Sequence, residues 1–88
     1  MIEANALPLA RKRLRWRARR GLLENDLILA RFFNRYGDVL TADEMNSMET
    51  LLDLPENELL DLLLARTELP PEIAVAPVRS LLQRLRSV

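Results

Sequence analysis

Carboxylates and guanidinium groups are the side chains of this 88-residue chain whose type and spacing could do chemistry. Cysteine and histidine are both absent. Their absence removes disulfides, thiolate nucleophiles, the usual proton shuttle and the commonest metal ligands. A catalyst built here would have to work with acids, Lys12 and arginines alone. The neighbouring acids Asp43 and Glu44, and the pair Glu56 and Glu58, could hold a hard cation or divide general acid from general base. Hard cations need several oxygens converging, usually from a glycine-bent loop, whereas these acids fall on expected helix surfaces. They read as solvated faces, so no catalytic set and no metal site is assigned. The stretch RKRLRWRARR, residues 11–20, could bind phosphate, with Trp16 stacking on a base. Arginines at helical spacing are more often a solvated face, and Leu14 and Trp16 then anchor the helix that carries them.

The charge pattern weighs on that choice. Residues 1–20 hold seven basic groups against Glu3, a net +6, and residues 21–88 hold six arginines against twelve acids, a net −6. Within the second part, 38–72 has ten acids and Arg66 as its one base, and such an acidic middle would repel a nucleic-acid backbone. A basic end and an acidic middle suggest a polar partner surface or an internal pairing of the two. No apolar run approaches membrane-spanning length and no signal-peptide core stands at the start. The expectation is a cytoplasmic protein with no membrane insertion.

The elements that must position these groups are helices. Leucine occurs 20 times against four Val and three Ile, and unbranched chains lose little rotamer freedom in a helix. Periodicity and punctuation predict an all-α fold, a small single-domain five-helix bundle over 1–88. The first helix covers about 6–19, with Leu9, Leu14 and Trp16 as its apolar positions, and ends at Arg19-Arg20-Gly21 as a glycine cap. The second covers about 22–36, with Leu22, Leu29, Phe33 and Tyr36 on one stripe widened by Phe32 and Ala30, and ends at Gly37-Asp38. Thr41 and Glu44 form a capping box, flanked by a Leu40–Met45 staple, at the start of the third. Pro55 opens the fourth, which carries Leu59, Leu60, Leu62, Leu63 and Leu64. Residues 70–76 are either extended or a short extra turn. Pro77 restarts the chain for a last helix within 76–87, through Leu81, Leu82 and Leu85.

One segment admits two readings. Arg20-Gly21-Leu22-Leu23-Glu24-Asn25-Asp26 is on one account a glycine cap followed by a helix with acids at its positive end. On the other, a residue without a side chain lies between an arginine and a glutamate at a surface junction, where a partner's backbone could approach. Arg20 could grip a carboxylate or phosphate in bidentate fashion, and Glu24 could accept from a partner's donor. Such geometry suits docking better than turnover.

Arg20-Gly21-Leu22-Leu23-Glu24 resembles the R-G-x-x-E motif of the succinate dehydrogenase assembly factor family, whose bacterial members are FAD assembly factors. The likeness extends to Arg19, Asp26, the Phe32/Phe33 pair, Leu40 with Glu44, Glu49 with Leu51 and Leu52, and Glu58 with Leu59, over about residues 14–66. The family fold, a small five-helix bundle, agrees with the reading above. The resemblance implies a non-enzymatic chaperone that binds the flavoprotein subunit of succinate dehydrogenase, and of fumarate reductase, and promotes covalent attachment of FAD to a histidine of that subunit. FAD is then the client's cofactor, with none bound stably by the chain, which is expected to be a monomer when free. Arg20, Gly21 and Glu24 would form the contact surface, supported by Asp26 and Arg19. Two departures stand out: Leu62 replaces a tryptophan usual in the family, and the tail from Pro70 matches poorly. The alternative function is a small nucleic-acid-binding or antitoxin-like regulatory protein using the basic first helix.

Overall fold

Where apolar residues recur with helical spacing the chain coils, and five α-helices result in a computed structural model that describes residues 7–19 and 21–88. They are α1 (Leu7–Arg17), α2 (Leu23–Tyr36), α3 (Ala42–Leu52), α4 (Glu56–Leu63) and α5 (Ala76–Arg86). Single 3₁₀ turns at Gly37–Val39 and Pro71–Ile73 link α2 to α3 and precede α5. The second of these is the short extra turn allowed for residues 70–76. No strand occurs among the described residues. All five helices contribute to one core, in which Phe32, Leu40, Met48, Leu51, Leu59 and Leu81 are fully buried.

The basic helix α1 packs on the core through Leu14 and the half-buried Leu7 and Ala10, and polar tethers add to that packing. Leu14 is buried, and Ala18 just beyond the helix is buried too, but Leu9 and Trp16 face solvent. Trp16, 72% exposed, does not anchor the helix as its spacing suggested. Instead the Arg11 Nε donates to the Leu40 carbonyl at 2.9 Å, Arg17 pairs with Asp53 at 2.5 Å, and Arg15 donates to the Asn34 side-chain oxygen. The expected internal pairing of basic end and acidic middle is thus present at Arg17–Asp53. Exposed pairs of this kind contribute about 0–1 kcal/mol each. The helix also stops earlier than expected. It ends at Arg17, and no described glycine has a positive φ, so Gly21 is not a left-handed cap.

In α2 the buried stripe is Asn25, Leu29, Phe32 and Phe33, with Ile28 and Tyr36 half-buried and Ala30 exposed. Ala30 lies on the solvent side because the stripe follows Asn25 and Leu29 rather than centring on Ala30. Phe32 meets Phe33 edge-on at 5.7 Å and Tyr36 at 5.2 Å. The helix passes into its 3₁₀ turn through Gly37 at φ −55°. Gly37 is buried, and a Cβ there would lie 3.4 Å from Phe33 Cδ1, in close but ordinary contact.

Local signals set the start of α3. Glu44 Oε1 accepts from the Thr41 backbone at 2.8 Å and Thr41 Oγ1 accepts from the Glu44 backbone at 3.2 Å, closing the capping box. Leu40 and Met45 are both buried beside it. Met48 joins them, so both described methionines are core residues. Helix α4 buries Leu59, Leu62 and Leu63, and leaves Leu64 exposed. Leu62 is 2% exposed, so this position is a matter of core packing and not of a surface edge. Ala65 follows at φ 58°, with Arg66 N–H on the Asp61 carbonyl at 2.8 Å and Ala65 N–H on the Leu62 carbonyl at 3.1 Å. That pair of bonds is a Schellman ending with alanine where glycine is usual.

The last helix packs chiefly on α3 through Val78, Leu81, Leu82 and Leu85. Arg86 reaches back to the Leu62 and Thr67 carbonyls at 2.8 and 3.3 Å and covers the end of α4. Residues 76–86 are therefore a full member of the bundle. No helix among the described residues is long and apolar enough to cross a membrane.

Candidate functional site

The junction between α1 and α2 gathers the residues that the sequence singled out. Gly21 and Leu22 lie outside both helices, and Leu22 enters α2 with an extended backbone at φ −84°, ψ 122°. Glu24 and Asp26 then fall in the first turn of α2, where the helix's positive end favours acids. Glu24 is exposed and makes no hydrogen bond or ion pair among the described residues. Asp26 is half-buried at the rim of a groove between α1 and α2. Arg19 is exposed, and its guanidinium carbon stands 5.3 Å from the centre of the Trp16 ring. Arg20 lies outside the described residues.

Gly21 is fastened from a distance. Its N–H donates to Glu56 Oε1 at 2.7 Å, across to the first residue of α4. A Cβ on Gly21 would meet the two Glu56 carboxylate oxygens at 3.5 and 3.6 Å. The side on which this residue lacks a side chain therefore faces Glu56, an internal neighbour, and not open solvent. Four residues later Asn25, fully buried, donates from Nδ2 to the Glu56 carbonyl at 3.1 Å. Glu56 had the sequence signature of a solvated acid paired with Glu58. The fold instead makes it the attachment point of the motif.

The groove between α1 and α2 encloses about 530 Å³ and is lined by Lys12, Arg15, Trp16, Arg19, Asp26 and Leu27 among others. Trp16, Leu23 and Leu27 are large apolar side chains left exposed around this junction. An indole beside three cations is a surface that can take an apolar group next to an acid. Gly21 and Glu24 do not line the groove, so the expected set divides in two: Arg19 and Asp26 at the groove, Gly21 and Glu24 on the loop and first turn beside it. Among the described residues no three acids converge to hold a metal ion.

Sequence reasoning missed three contributors. Asn25 had a legible signal, because it stands four residues before Leu29 and in phase with Phe32, so a polar residue was due on the buried stripe. Glu56 had none, since its contact spans 35 residues. Trp16 reads from the sequence either as a base-stacking residue or as an anchor of its helix, and neither reading places it on the wall of this groove.

The comparisons with known proteins bear on this arrangement. A family model described as "Flavinator of succinate dehydrogenase" matches residues 12–86, which includes the tail beyond Pro70. The chain is 54% identical over 81 residues to the FAD assembly factor SdhE of Ralstonia nicotianae, covering 92% of this chain and 85% of the relative. It is 37% identical over 86 residues to the FAD assembly factor SdhE of Acetobacter pasteurianus, covering 97% and 79%. A third relative, the FAD assembly factor SdhE of Coxiella burnetii, is 46% identical over 57 residues, covering 65% and 70%. No solved structure matches the chain. A helical bundle that sets an R-G-x-x-E segment at its α1–α2 junction, and that matches the family model along nearly its whole length, belongs to the family of flavinators of succinate dehydrogenase.

Proposed function

We propose that this chain binds the flavoprotein subunit of succinate dehydrogenase and promotes covalent attachment of FAD to a histidine of that subunit. The observation that supports it most is the position of the motif, with Gly21 and Glu24 exposed on one loop and helix start in a chain of this family. The reacting groups, histidine and flavin, both belong to the client, which accords with a chain that has no His or Cys. The chain's part is positional. Holding two groups in reactive geometry converts a rare encounter into an effectively unimolecular step, which is worth several powers of ten in rate. No enzymatic step is assigned to the chain itself, and no FAD is held stably by it.

Glu24 supplies an exposed carboxylate for a donor on the client, and Arg19 and Arg20 supply guanidinium groups for its acids. Asp26 supports this surface from the groove rim. Trp16, Leu23 and Leu27 add the apolar contact area that charged contacts alone lack. The flavoprotein subunit of fumarate reductase offers the same chemistry and is a second client. The chain works in the cytoplasm as a monomer that forms a one-to-one complex. Purifying the flavoprotein subunit from cells with and without this chain, denaturing it and reading flavin fluorescence in the gel tests the proposal. The expected outcome is a band whose fluorescence depends on the chain, and equal fluorescence in both preparations would overturn it.

A further inference from the structure

The motif is held from two sides by a single residue of another helix. Gly21 donates its N–H to the Glu56 carboxylate at 2.7 Å, and Asn25 donates its side-chain amide to the Glu56 carbonyl at 3.1 Å. Glu24 lies between these two attachments in sequence, so the backbone that carries its exposed carboxylate is tied down on both sides. The acceptor is the first residue of α4, whose Leu59, Leu62 and Leu63 are embedded in the core. The motif is therefore referenced to the rigid part of the bundle and not only to its own helix.

Asn25 shows that this tie is kept against a cost. It is fully buried, and its Oδ1 has no hydrogen-bond partner among the described residues. A buried acceptor without a partner is destabilising, and an apolar side chain of similar shape would avoid that loss at this position on the core stripe. What the amide supplies in return is the bond to Glu56. A residue that is poor for stability and good for fixing a neighbouring segment belongs to the placement of that segment.

We propose that Asn25 and Glu56 are positioning residues that hold residues 21–25 against the start of α4, so that Glu24 meets the client in one fixed geometry. The proposal rests on the client-binding function proposed above. Neither residue needs to touch the client, since Asn25 is fully buried and Glu56 half-buried.

The test uses the full chain and three variants. Asn25→Leu removes one tie together with the unpaired oxygen, Glu56→Ala removes the Gly21 acceptor, and Glu56→Gln keeps an oxygen in its place. Three quantities are read: thermal unfolding, hydrogen exchange at the Gly21 amide by NMR, and the chain concentration giving half-maximal covalent flavin in purified flavoprotein subunit. Asn25→Leu is expected to unfold at or above the wild-type temperature yet to require about tenfold more chain, the loss set by one hydrogen bond. Glu56→Ala is expected to show a similar loss with faster exchange at Gly21, and Glu56→Gln to restore both towards wild type. Wild-type half-maximal concentrations for Asn25→Leu and Glu56→Ala would overturn the proposal, as would unchanged Gly21 exchange in Glu56→Ala. If Asn25→Leu fails to fold, the comparison of Glu56→Ala with Glu56→Gln decides. A wild-type chain with no effect on covalent flavin would overturn the client reading itself, and exchange at Gly21 would still report whether Glu56 holds the loop.

Discussion

At the scale of single residues, the glycine and the glutamate of the motif do different jobs. Glu24 is exposed and unpaired among the described residues, so its carboxylate contributes little to the bundle beyond its favourable place at a helix start. Gly21 faces inward to Glu56, and its backbone needs no left-handed conformation. A methyl group at 3.5 Å from a carboxylate oxygen is in ordinary contact. Gly21→Ala is therefore expected to leave stability unchanged or to raise it by up to about 1 kcal/mol through a less flexible unfolded chain. Gly21→Arg sets a long cationic side chain at this exposed junction beside the Glu56 carboxylate, where it blocks a partner's approach while the helices stay formed. Denaturant midpoints and helical circular dichroism check both, and a Gly21→Ala variant less stable by more than about 1 kcal/mol would contradict this placement. The surface position of the motif was legible in the sequence, because glycine beside charged residues between two apolar periods marks a junction. Its attachment was not, since nothing in residues 20–26 indicates an acceptor 35 residues away.

At the scale of the elements, legibility followed locality. The Thr41–Glu44 capping box and the Leu40–Met45 staple were readable because every partner lies within five residues. The Arg11, Arg17 and Arg86 tethers join separate helices, and arginine is equally common on a solvated face, so its type gave no indication. Two predictions belong here. Ala65 at φ 58° adopts a conformation that disfavours an L side chain by roughly 1–2 kcal/mol. Ala65→Gly should raise unfolding stability by about 1 kcal/mol, and a loss of stability on denaturation would show that the α4 ending is not as described. The second concerns acid. Partial burial raises the pKa of Glu44, but the Thr41 hydrogen bonds and the Arg84 guanidinium outweigh it and hold the carboxyl below its ordinary 4.5. The folded state thus binds this proton less readily than the unfolded chain. Its contribution is complete above about pH 5 and is lost as pH falls through the folded value. Glu44→Gln should flatten stability against pH below 5, and an unchanged acid slope would remove Glu44 from that role.

For the whole molecule, the all-α class and its five helices were readable from leucine content and turn residues, while the division of charge was readable only as two alternatives. The structure shows the internal pairing, between Arg17 and Asp53, and leaves Lys12 and Arg13 exposed without ion-pair partners among the described residues. A protein surface engaged by a few exposed pairs loses little affinity with salt, whereas counterion release from nucleic acid costs about 10³–10⁵ in affinity between 50 and 200 mM. The complex with the flavoprotein subunit should weaken by less than about tenfold over that range, and a steeper loss would favour the polyanion alternative. The central claim is that a surface around Glu24 promotes flavin attachment in the client. Its most direct test combines purified flavoprotein subunit lacking covalent flavin, free FAD and either the wild-type chain or Glu24→Ala, and follows covalent flavin with time. The account predicts rapid attachment with the wild-type chain and a rate at least about tenfold lower with a Glu24→Ala chain of unaltered fold. Equal rates with the two chains, or with no chain at all, would contradict it.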